Sequence, residues 1–110
     1  MDDTPAPDAA KPIAPDDCRS MADVRAGVDA TDRALVAMLE TRFAYMRAAA
    51  RIKPDRGHVR DEPRKAQVIA NVHALAVERG LPADALAALW ERLVEDSISY
   101  ETQHWDSLKG

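Results

Sequence analysis

Arg25, Arg42 and Lys53 fall on one stripe of what reads as a single long helix. Stepping by four and three gives Met21, Arg25, Val28, Asp32, Leu35, Leu39, Arg42, Met46, Ala49 and Lys53. That is the heptad-like run of a helix packed lengthwise against other helices. Cations on such a seam are unfavourable unless something negative pairs with them. Asp32 is the only acid on the stripe, so the stripe offers two of the three charges no obvious partner. A small anionic ligand held inside a helical bundle would supply one. Arginine and lysine suit that task, because guanidinium groups clamp carboxylates in pairs of hydrogen bonds and an ammonium donates at a point.

Three helices must position these groups. The first is expected to start at Ser20, with Asp23 three residues on as a weak capping box. Only Gly27 softens it before Pro54 and Gly57 break it after Lys53. Those ~34 residues would span about 50 Å at 1.5 Å per residue, whereas a domain of this size has a radius of gyration near ~13 Å. The second helix opens at Asp61-Glu62-Pro63, an N-cap acid followed by a first-turn proline. It should bury Val68, Val72, Leu75 and Ala76 and end at Gly80. The third opens around Pro82 to Asp84, with a stripe of Leu86, Trp90, Leu93, Ser97, Glu101, His104 and Leu108. Ser97 and Glu101 are again polar groups on an apolar face. Nothing reads as strand, hairpin or internal repeat. The fold class expected is all-α, three helices per chain with a long first helix, in an intertwined helical homodimer.

The dimer follows from length and from charge. An over-long first helix leaves an apolar overhang that a second copy covers most economically. Arg42 and Lys53 are three turns apart, about 16 Å along the axis, so both can reach one pocket. Arg25 is about 25 Å from Arg42 by the same rise, so it can serve that pocket only from the partner subunit. Arg51, at the end of the first helix, and Arg56, Arg60, Arg64 and Lys65 beyond it add positive charge, which points to an anionic ligand nearby. Arg33, Arg47, Arg51 and Arg79 are read as solvated surface.

Composition excludes several classes. A net charge of -4 argues against nucleic-acid binding, and no apolar run approaches the ~20 residues of a membrane span. Residues 1–17 hold four prolines and five aspartates and are read as a disordered tail, with the helical domain over 18–110. The tail lacks the pattern of a secretory signal, and Cys18 is the single cysteine, which fits a reducing compartment. A cytoplasmic location is expected. His58, His73 and His104 show no metal-ligand spacing, and no Ser-His-Asp signature is present.

The stretches ADVRAGVDATDRALVAMLETRFAYMRAAARIK, VRDEPR and LVEDSISYE resemble the all-helical chorismate mutases and, at least as closely, their sister group, the isochorismate-pyruvate lyases of salicylate synthesis. The resemblance covers residues from about 18 to 106. It implies that Arg25 of the neighbouring subunit and Arg42 clamp the two carboxylates of the substrate. Lys53 would donate to the ether oxygen and a carboxylate, Asp61 and Arg64 would lie at the wall formed by the second helix, and Ser97 would help hold the ring carboxylate. Glu101 stands where bacterial mutases commonly have Gln, contacting the ether oxygen from the side opposite Lys53. Lys65 stands where they usually carry a Glu that accepts the ring hydroxyl, and a lysine cannot accept.

The reaction so implied is the Claisen rearrangement of chorismate to prephenate, on the shikimate route to aromatic amino acids, with no cofactor or metal. Catalysis would come from holding the enolpyruvyl chain over the ring and from hydrogen bonds to the ether oxygen as charge grows there. Glu101 can donate only when protonated. Two other readings stay open: elimination of pyruvate from isochorismate to give salicylate, and a non-catalytic helical dimer. Glu101 and Ser97 favour the mutase, the missing Glu at position 65 favours the lyase, and the seam cations argue against the third.

Overall fold

The computed structural model describes residues 11–109, and residues 1–10 of the expected tail lie outside it. The order is a 3-10 turn at Pro15–Asp17, helix α1 at Met21–Ile52, a 3-10 turn at Arg56–His58, helix α2 at Glu62–Glu78 and helix α3 at Ala83–Lys109. The described residues contain no strand. None of their helices is long and apolar enough to cross a membrane.

Each helix begins where local chemistry lets it. The Ser20 hydroxyl accepts from the Asp23 N–H at 3.1 Å, and the Asp23 carboxylate accepts in return from the Arg19 N–H at 3.0 Å. The reciprocal bond thus reaches one residue further out than in a standard capping box. Asp61 caps α2 by accepting from the Arg64 N–H at 3.0 Å, with proline in the first turn. Gly80, at φ 68°, ends α2 in a Schellman arrangement: its N–H donates to the Val77 carbonyl at 3.1 Å and the Leu81 N–H to the Ala76 carbonyl at 2.8 Å. The reversal is so short that α3 starts at Ala83 and packs back along α2.

The chain divides into two units, Met1–Arg42 and Phe43–Gly110. In the second, Ala50, Val59, Ala76 and Val94 are buried together with the polar Ser97 and Glu101. Of the expected α2 face, Val68 and Val72 are half-buried and Ala76 is buried, but Leu75 stands exposed. On α3 the expected stripe is half-buried or buried from Leu86 to His104, and only Leu108 is exposed. In the first unit, Met21, Val24, Val28, Leu35, Val36 and Met38 are exposed, Val28 by 51%. The seam expected there is therefore not buried by this chain's own atoms. Pro12, Ile13, Ala14 and Pro15, before α1, line a hollow together with Val24, Gly27 and Val28.

Candidate active site

The site grows from the end of α1. Pro54 has no N–H and disfavours a helical conformation in the residue before it, so α1 stops at Ile52 and Lys53 becomes its terminal cation. The Lys53 ammonium meets the Glu101 carboxylate of α3 at 2.7 Å. The glutamate side chain is 5% exposed and the lysine 30%. Glu101 reaches this depth because it lies four residues after Ser97 on the face of α3 that carries Val94. Ser97 is 3% exposed, and its hydroxyl donates to the Leu93 carbonyl at 2.7 Å. Ser97 and Glu101 thus share one face of α3, and Glu101 holds Lys53 there.

Of the other candidates, Arg25 and Arg42 belong to the first unit. Arg25 is exposed. Arg42 is half-buried, and loss of water pushes its guanidinium below the ordinary arginine value. Asp61 and Arg64 are exposed at the start of α2. Asp61 is engaged as the helix cap, and the Arg64 guanidinium donates to the Gln67 side-chain oxygen at 2.7 Å.

The cationic loop needs a correction. Arg56 is held by Asp106 at 2.8 and 3.2 Å. Arg60 reaches Glu62 at 3.0 Å and Glu95 at 2.8 and 3.0 Å. Lys65, only 16% exposed in its side chain, meets Glu91 at 2.6 Å and Glu95 at 2.7 Å. These hydrogen bonds raise the pKa of all three cations, chiefly through Asp106 for Arg56, Glu95 for Arg60 and Glu91 for Lys65. The same bonds lower that of Asp106 and hold Glu95 at about 2, Arg60 acting most strongly on Glu95. At these three positions, positive charge that the sequence suggested for a ligand is therefore neutralised by acids of α2 and α3.

Arg47 also departs from expectation. It is half-buried and donates to the Tyr100 hydroxyl at 2.7 Å, beside an edge-to-face contact of Phe43 and Tyr100 with centroids 4.8 Å apart. The signal lay in spacing, since Phe43, Arg47 and Ala50 share a second face of α1 apart from the heptad stripe. Trp105, four residues beyond Glu101, donates from its indole to the Lys53 carbonyl at 3.0 Å. Its place one turn from Glu101 was the cue for it.

What remains open to chemistry is a buried carboxylate facing a partly exposed ammonium. Two donors flanking one oxygen atom stand about 5–6 Å apart, twice a hydrogen-bond length. At 2.7 Å Lys53 and Glu101 leave no room for an oxygen between them, so a ligand atom inserted there must part them.

Comparison with known proteins bears on the family of the chain. The chain is 28% identical over 96 residues to an isochorismate pyruvate lyase of Pseudomonas aeruginosa, covering 87% of this chain and 95% of that protein. The sequence model of chorismate mutase type II matches residues 24–102, a span that runs from the first turns of α1 through Glu101. An all-helical chain with that match belongs to the chorismate mutase type II family.

Proposed function

We propose that this protein converts chorismate to prephenate in the cytoplasm, as a homodimer, without metal or cofactor. The observation that carries the reading is the buried Glu101 set against Lys53 at 2.7 Å, on a chain of this family. Both groups can donate to an ether oxygen, Lys53 as it stands and Glu101 once protonated. Substrate entry breaks the ion pair and the ether oxygen takes its place. Arg42, with Arg25 of the partner subunit, clamps the two carboxylates, and Ser97 steadies the ring carboxylate. Asp61 and Arg64 line the α2 side. The rate gain comes from restricting the enolpyruvyl chain and from donors already aimed where charge develops.

A second reading, release of pyruvate from isochorismate to give salicylate, has two supports. One is the similarity to a protein named isochorismate pyruvate lyase. The other is Lys65, which is tied to Glu91 and Glu95 and leaves no acceptor at the position assigned to the ring hydroxyl. Purified protein given each substrate separately decides between them. The expected result is prephenate from chorismate. Salicylate and pyruvate from isochorismate, with chorismate untouched, would establish the lyase instead.

A further inference from the structure

Lys53 ends α1 in a way its neighbours dictate. Its N–H still closes the helical bond to the Ala49 carbonyl at 2.9 Å. Its own carbonyl, however, lies beyond the last helical residue, and the following Pro54 turns the backbone away from the helical path. The nearby amides are engaged elsewhere: the Gly57 N–H donates to the Asp55 carboxylate at 2.9 Å and the His58 N–H to the Asp55 carbonyl at 3.0 Å. A partly buried carbonyl left without a donor is unfavourable. The Trp105 indole supplies that donor at 3.0 Å. One turn back on the same face of α3, Glu101 holds the other end of the same lysine at 2.7 Å. A single helix face therefore grips Lys53 at both its backbone and its ammonium.

We propose that Trp105 is a positioning residue: its indole N–H fixes the Lys53 backbone so that the flexible side chain delivers its ammonium to one place, opposite Glu101. The catalytic consequence rests on the reading of Lys53 as a donor in the reaction, while the positioning itself does not. Trp105→Phe isolates the N–H, because phenylalanine keeps an aromatic ring under the Lys109 ammonium, which lies 5.9 Å from the Trp105 ring centroid.

The test compares acylation rates of individual lysines in the folded chain, resolved by peptide mass spectrometry, with steady-state kinetics. In Trp105→Phe the Lys53 rate is expected to rise about three- to tenfold, the scale of one neutral hydrogen bond. Lys65, held by Glu91 and Glu95, keeps its rate and serves as the folding control. The kcat falls by a similar factor while KM changes less than about twofold. A joint rise of Lys53 and Lys65, no rise at Lys53, or a selective rise with unchanged kcat overturns the proposal. The acylation arm reads no turnover, so inactivity of the wild type on both substrates would overturn the proposed function alone. Should the variant fail to fold, exchange of the Trp105 indole proton in the wild type is followed by NMR. Slow exchange upholds the bond, and exchange at the rate of a free indole overturns it.

Discussion

In the second unit, Lys53, Arg56, Arg60 and Lys65 each meet a carboxylate of the same chain, whereas in the first unit Val24, Val28, Leu35, Val36 and Met38 stand open. The difference separates charge satisfied within the chain from apolar surface that the chain leaves exposed. Burying a valine, leucine or methionine side chain fully is worth about 1.5–3 kcal/mol, and helices in water draw most of their stability from packing an apolar face. The proposed dimer would cover these five residues. Among the seam cations, Lys53 has an acid from α3 and Arg42 carries the mark of desolvation.

The sharpest way to break this contrast is Arg42→Ala. If Arg42 clamps a substrate carboxylate, activity falls about 10²–10³-fold, as for loss of one aimed charge-stabilising donor, while circular dichroism shows the helices intact. A change in melting temperature without loss of activity would return Arg42 to a purely structural role. Next comes the crossing of subunits. Arg25→Ala and Arg42→Ala are each expected to be nearly inactive, yet unfolding and refolding them together should restore about a quarter of wild-type activity. Half the random dimers then carry one intact site of two. Failure to recover activity would end the idea that Arg25 crosses to the partner's site.

Glu101→Gln sharpens the second unit. Glutamine carries its own N–H donors, so the variant is expected to keep turnover within about tenfold, whereas Glu101→Ala, which removes the donor, should lose about 10²–10³-fold. Equal losses in the two variants would withdraw the role of Glu101. The smallest effect belongs to Glu95→Gln. The Glu95 pKa is depressed to about 2 from an ordinary 4.5. Its stabilising share is thus fully present above the ordinary value and is lost as pH falls towards 2. The variant should melt a few degrees lower at most near neutrality, and the gap should close in acid. A gap that persists at pH 2 would mean the carboxylate charge is not its source.

Helix boundaries were legible because they are local: Ser20 with Asp23, Asp61 before Pro63, and Gly80 with its left-handed backbone all act within a turn. Ser97 and Glu101 were legible as polar interruptions of an apolar stripe, and both are buried. Pairings between distant segments were not legible. Arg47 with Tyr100, Lys53 with Trp105 and Lys65 with Glu95 join residues 53, 52 and 30 positions apart, and no spacing within one helix encodes them. Arg47 lies off the heptad face, so the stripe does not mark it, and the acids that pair with Arg56, Arg60 and Lys65 lie mostly on another helix.

Glu95 receives Arg60 from the loop and Lys65 from α2 at once. A segment tied through a single anchor to its continuation cannot swing alone. Any breathing that lifts residue 60 away from α3 has to drag the opening turns of α2 with it, or else surrender one of the two bonds. The stretch from Arg60 to the first turns of α2 is therefore expected to move against α3 as one piece, and its ease of displacement should depend on ionic strength more than on temperature.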